Sequence, residues 1–279
     1  MAQTFSGSDD NLHDNVPKQG LLVILALAGW LACGDLAAEE RERIGHAYDR
    51  ISGVLLYKER HTETYANGEM TADRVHYIDP QGRIFGHKRV DFSHGAFVPE
   101  FQLDNTRTGH VEGLTRIAAG SLSVRFREHA EEELRQQRLE LPSDAVADAG
   151  FDRFIESRWG DLIDGKTLVR KFLVPSRLEF MDWRIRRDDD APHDAKSGDP
   201  RGLRTVRFAL EIDSAFLRIV VPPIVVIYDR DTRRLLRYEG LSNLRDASGE
   251  NHSVRIEFNT LIAKPAKRTR LPWRNGPDY

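Results

Sequence analysis

Period-two alternation governs most of this chain and restricts it to strands with one buried face. From Gly53 onward, short stretches alternate apolar and polar side chains and are punctuated by turn residues. The stretches read as strands are residues 54–61, 74–78, 83–92, 96–103, 109–117, 122–127, 167–174, 177–186, 203–213, 224–229, 234–238 and 253–259. In residues 203–213, Val206, Phe208, Leu210 and Ile212 share one face while Arg207 and Glu211 share the other. Asp79-Pro80-Gln81-Gly82 reads as a turn with Pro second and Gly fourth. Pro222-Pro223 divides the apolar run 217–228, because Pro has no N–H for the interior of a ladder.

Two stretches take a helical period instead. Residues 129–139 (HAEEELRQQRL) are polar on nearly all sides and read as a solvated connector or lid. Residues 151–163 place Phe151, Phe154, Ile155, Trp159 and Leu162 on one stripe, with Asp148 as the cap, so this helix is expected to pack on the sheet. There is no strand–helix–strand rhythm. The expected fold is therefore mainly β: one large curved antiparallel sheet, or a partly open barrel, of about 11 or 12 strands with one amphipathic helix against it.

The N-terminal region supplies an address. Residues 21–33 (LLVILALAGWLAC) are an apolar run of 13, too short to span a bilayer but suited to the core of a signal peptide. Lys18 precedes it, and small residues follow, with cuts after Gly34 or Ala38 acceptable to a signal peptidase. Residues 1–38 are thus read as a signal-peptide region, followed by a sheet domain over 39–262 and a tail over 263–279. Residues 1–15 carry Asp9, Asp10 and Asp14 and no Lys or Arg, whereas a start at Val16 gives a conventional signal. Cys33 stands where a lipoprotein is acylated; Ala32 suits that box, but Trp30 and Leu31 do not, so lipid anchoring and simple cleavage both stay open. The expected location is the periplasm or the exterior.

Composition excludes several classes. With 41 Lys+Arg against 44 Asp+Glu, the net charge is −3, and no global field points to nucleic acid. A mean hydropathy of −0.51 excludes a polytopic membrane protein. One cysteine excludes an internal disulfide and a Cys-based zinc site. The charge is uneven: Lys264, Lys267, Arg268, Arg270 and Arg274 crowd the tail, which suits contact with an anionic membrane surface or simply a solubilising end.

Motifs for chemistry are sparse: no phosphate loop, nucleophile elbow or His-Glu-x-x-His helix occurs. His61 and Glu63, with His76, His87 and Asp91 on neighbouring strands, are the nearest approach to a metal set, but a solvated strand face is the plainer reading. Asp188, Asp189, Asp190, Asp194 and Asp199 lack the spacing of a calcium loop, and Ser93-His94 reads as a turn. No cofactor or metal and no catalytic residue are expected. The strongest signal is apolar: Phe172, Phe180, Trp183, Phe208, Leu210 and Tyr228 offer more apolar surface than one helix covers. They form either a filled core or the lining of a cavity under a curved sheet, and these two use the same residues.

Two segments carry a family resemblance. One runs Val75-His76-Tyr77-Ile78-Asp79-Pro80-Gln81-Gly82-Arg83-Ile84, then Lys88, Asp91-Phe92-Ser93, Pro99 and Thr108-Gly109-His110-Val111-Glu112-Gly113. The other is Arg234-Leu235-Leu236-Arg237-Tyr238-Glu239-Gly240-Leu241-Ser242-Asn243, then Asp246, Gly249 and Val254-Arg255-Ile256. They resemble an uncharacterised family of exported bacterial proteins over most of residues 50–260, with a layout similar to the half-barrels of periplasmic lipoprotein carriers. No residue maps onto a carrier's binding site. Function does not follow from that layout; the apolar strand faces and the export signal make an envelope protein that binds or carries an acyl or lipid-like ligand the first expectation. An envelope scaffold without ligand is the alternative, and an enzyme acting on envelope material, using His61, Glu63 or His87, comes third.

Overall fold

The computed structural model describes residues 38–188, 204–214, 216, 218, 221–246, 249–259, 262 and 263. The signal region, Cys33, most of the acidic loop and the basic tail lie outside the described residues. The fold begins on β1 (Glu39–Asp49) and continues as a meander through β2 (Leu55–Ala66), β3 (Glu69–Ile78), β4 (Ile84–Asp91), β5 (Glu100–Asn105), β6 (Val111–Ala118), β7 (Ser121–Arg127) and β8 (Arg135–Glu140). The chain passes from β8 to the other end of the sheet at the short β9 (Ala145–Val146), and two helices, α1 (Gly150–Ser157) and α2 (Trp159–Ile163), link β9 to its parallel neighbour. A second meander then returns through β10 (Leu168–Val174), β11 (Glu179–Arg187), β12 (Thr205–Ile212), β13 (Ile224–Asp229), β14 (Leu235–Arg245) and β15 (Asn251–Phe258).

The two meanders are joined in the middle. β15 pairs antiparallel with β1, setting Gly45 opposite Phe258 and Asp49 opposite Val254. The order along the sheet is therefore β8-β7-β6-β5-β4-β3-β2-β1-β15-β14-β13-β12-β11-β10-β9. β16 (Ile262–Ala263) pairs with β1 beside this path, and β9 runs parallel to β10. Gly45 allows the seam to close tightly, since a Cβ there would stand 2.8 Å from the Phe258 ring.

The sheet curls but does not close into a ladder. Its ends meet through side chains and loops: Leu173 and Leu178 share a core cluster with Phe101, Leu114, Val124 and Phe126 from the first meander. The Ala147 N–H donates to the Phe97 carbonyl at 2.9 Å, and Arg135 Nη2 donates to the Ser176 carbonyl at 3.0 Å. Inside the second meander, Phe154, Ile155, Trp159 and Leu162 bury the helical stripe against Ile185, Phe208, Val226 and Tyr228.

The mainly β, antiparallel, curved architecture with an amphipathic helical segment stands as expected. Four local expectations are corrected. The described residues hold sixteen strands, because charged stretches such as EERERIGHAYD also pair. Residues 129–139 are not a helix: their C-terminal half is the exposed strand β8, held by the ladder to β7 rather than by burial. The helix over 151–163 is divided at Arg158, whose φ of −109° and ψ of 18° interrupt it. Asp148 does not cap it; it adopts a left-handed φ of 45° and turns its carboxylate to Lys88 instead.

Candidate functional site

The helices cover the β11–β13 part of the concave face, and beside them a cavity of about 400 Å³ remains, within the range of small-molecule sites. Its apolar lining is broadest on the second meander, with Phe172, Trp183, Leu210, Ile224, Leu235 and Tyr238, and Phe101 and Phe126 of the first add to it. Its polar wall comes mostly from the first meander, with Arg43, Glu59, His61, Asp73, Lys88 and Glu112, and Asn243 and Arg245 of the second join it. These charged residues occupy inward strand positions. On β2, Tyr57, Glu59, His61 and Glu63 are buried in turn, and on β3 the buried set is Asp73, Val75 and Tyr77.

Burying this many charges is tolerable only if they are paired. Arg43 Nε donates to Glu63 at 2.8 Å. His61 bridges two carboxylates, with Nδ1 2.7 Å from Asp73 and Nε2 3.3 Å from Glu59. Lys88 Nζ donates to Asp148 Oδ1 at 2.5 Å, Asn243 Nδ2 to Glu112 at 2.7 Å, and Arg245 Nη1 to Glu128 at 2.5 Å. The Tyr228 hydroxyl donates to Asp152, which also lines the cavity, at 2.6 Å.

The pairing separates the protonation states. Burial opposes the charge on His61, but the Asp73 carboxylate, together with hydrogen bonds to Asp73 and Glu59, raises its pKa to about 9 against the nearby Arg43 charge. Burial and the neighbouring Asp148 raise Glu112 to about 7, against Lys88, Asn243 and Arg245. Burial and the Arg245 charge lower His110 to about 4. At neutral pH the wall thus holds a charged His61, a neutral His110 and a Glu112 poised between forms.

Some polar capacity stays unused. Asp73 Oδ1, Asp148 Oδ2, Trp183 Nε1 and Arg245 Nε are buried atoms without a hydrogen-bond partner among the described residues, and all four residues line the cavity. Buried polar atoms are normally paired with protein, water or ligand.

The apolar residues singled out from sequence divide into two sets. Phe172, Trp183 and Leu210 line the cavity. Phe208 and Tyr228 are wholly buried beneath α2, with the Trp159 ring 5.5 and 5.7 Å from theirs. Phe180 packs on the cluster containing Leu173 and Leu178. Of the polar candidates, His61 and Glu63 share the inward face, whereas His76 and His87 lie at positions alternating with buried residues, their rings 5.1 Å apart, and Asp91 is exposed. Strand parity separates them, and no metal-holding group of three His, Cys, Asp or Glu occurs among the described residues. Ser93 Oγ and Glu100 both approach the same nitrogen of His94, Nδ1, at 3.2 and 3.6 Å, which is no relay geometry. Asp188 pairs with Arg207 at 3.4 Å.

Sequence reasoning missed the polar wall as a unit. Its signal was present: Glu59, Lys88 and Glu112 occupy inward positions beside Tyr57, Val90 and Leu114.

No family model matches this chain, and no curated protein matches it. Among solved structures, it is similar to a beta-barrel-like protein of a domain of unknown function, DUF1849, from Brucella abortus. The two are 10% identical with a TM-score of 0.45, over 82% of this chain and 98% of that one. A likeness of that degree carries no argument about function.

Proposed function

We propose that this protein binds or carries an amphiphile, its acyl or similarly apolar chain against the Phe172–Trp183–Leu210 wall and its head toward the Lys88–Asp148 side. The observation that carries this reading is a cavity whose lining joins aromatic and aliphatic side chains to buried ion pairs. A fully apolar core would leave no reason for Asp73, Lys88 and Asp148 to be buried, because replacing buried ion pairs by packed hydrophobic groups is often neutral or stabilising. An aqueous polar site would not need the aromatic wall.

An envelope setting belongs to the same proposal, supported by the order of Lys18, the apolar run 21–33 and the small residues after it, as is contact of the basic tail with anionic lipid. Recovery of the protein from the cytosol on cell fractionation would overturn that address. The binding reading is tested by purifying the protein without detergent, extracting it with organic solvent and analysing the extract by mass spectrometry. A stoichiometric amphiphile is expected, and a clean blank from well-folded protein counts against the reading.

A further inference from the structure

Resting on that reading, we infer that the polar wall accepts a neutral, hydroxyl-bearing head, a sugar or glycerol unit on an apolar chain, rather than a charged one. Charge balance disfavours an ionic head. Arg43, His61, Lys88, Arg153 and Arg245 each already hold a carboxylate, at 2.8, 2.7, 2.5, 3.2 and 2.5 Å. A phosphate or carboxylate head would find no cation to itself and would face Asp73, Asp148 and Glu112 in a medium that screens little.

The hydrogen bonds left open are of both kinds. Asp73 Oδ1 and Asp148 Oδ2 can only accept, whereas Trp183 Nε1 and Arg245 Nε can only donate. The Asp73 and Asp148 side chains are 8% and 5% exposed, so water reaches them poorly. An ammonium head would serve the acceptors and leave both donors unpaired; a phosphate would do the reverse. Hydroxyl groups donate and accept, and serve both. Asp148 is held at a left-handed φ of 45°, an uncommon conformation for a residue other than glycine, and there its Oδ1 engages Lys88 while Oδ2 has no partner.

The test compares four eight-carbon probes by calorimetry on the full chain below their micelle concentrations: octyl glucoside, 1-octanoylglycerol, octyl phosphate and octylammonium. Octyl glucoside or octanoylglycerol is expected to bind about tenfold or more tightly than either charged probe, the worth of one hydrogen bond to a charged group. Whichever of those two leads identifies the head as sugar or glycerol. In Asp148→Asn, asparagine keeps the tolerance for positive φ, but Lys88 loses its counter-charge, so preference is expected to pass to octyl phosphate. Should that variant fail to fold, Trp183→Phe keeps the ring, removes only the N–H, and is expected to weaken the leading neutral probe several-fold. Equal affinity for all four probes would overturn the head assignment while leaving the amphiphile reading intact. A lead for octyl phosphate or octylammonium in the unaltered protein would do the same, and binding of none would overturn both.

Discussion

Glu112, His110 and His61 hold protons over three different windows, and that fixes how stability responds to pH. Glu112 titrates at about 7 in the fold against an ordinary 4.5, so the folded chain keeps a proton that the unfolded chain has lost, and stability falls as pH rises from 4.5 to 7. His110, at about 4 against 6.5, works in the other direction, and stability falls as pH drops from 6.5 toward 4. His61, at about 9, contributes fully below 6.5 and loses its contribution as pH climbs to 9. Glu112 and His110 therefore offset one another over the mildly acidic range, and the net decline lies above 6.5. Glu112→Gln keeps an acceptor for Asn243 and removes the ionisation, so it should stabilise the fold at pH 8 by up to about 3 kcal/mol and give no such gain at pH 4. Urea unfolding at the two pH values checks this; equal effects at both would mean that the buried charge costs nothing.

At the scale of elements, α1 begins where the chain has no spare room. A Cβ on Gly150 would stand 2.1 Å from the Phe97 carbonyl oxygen, a backbone atom that also accepts the Ala147 N–H and cannot retreat without breaking that bond. Gly150→Ala should lower stability by about 1–3 kcal/mol despite alanine's better helix propensity, as measured by a fall in the thermal midpoint. An unchanged midpoint would mean that α1 shifts freely. Nothing in the sequence around Gly150 announces that contact, since Phe97 is distant along the chain. What was legible followed period: residues 224–229 read as a strand and form β13 over the same bounds, and the Phe154, Ile155, Trp159, Leu162 stripe is buried as its spacing implies. β1 and β8 were illegible for a physical reason. Their polar side chains carry no burial pattern, and only partners placed by the topology make them strands. The site was half legible for the same reason: aromatic residues announce a lining, but ion pairs such as Lys88 with Asp148 depend on a loop position no alternation encodes.

Across the whole sheet, the cohesion is unequal. The centre, β2-β1-β15-β14, is a continuous ladder whose seam joins Gly45–Asp49 to Val254–Phe258. The ends are stitched by apolar packing, by the backbone bond from Ala147 and by side-chain bonds such as Arg135 to Ser176 and Lys88 to Asp148, with no strand ladder between β8 and β9 among the described residues. Opening at the ends thus sacrifices few hydrogen bonds, whereas opening at the seam dismantles both meanders. Native-state hydrogen exchange should show the β8 and β10 amides exchanging through a partial opening, and those of β1, β2 and β15 only with global unfolding. The cavity lies between the meanders, with Phe101 and Phe126 contributed by one and Phe172 and Trp183 by the other. A ligand filling it stabilises only the state in which the ends are together, so octyl glucoside should slow exchange in β7 and β10 in parallel, by the factor its concentration over Kd dictates. Slowing in β10 alone would place the ligand on one wall rather than between two.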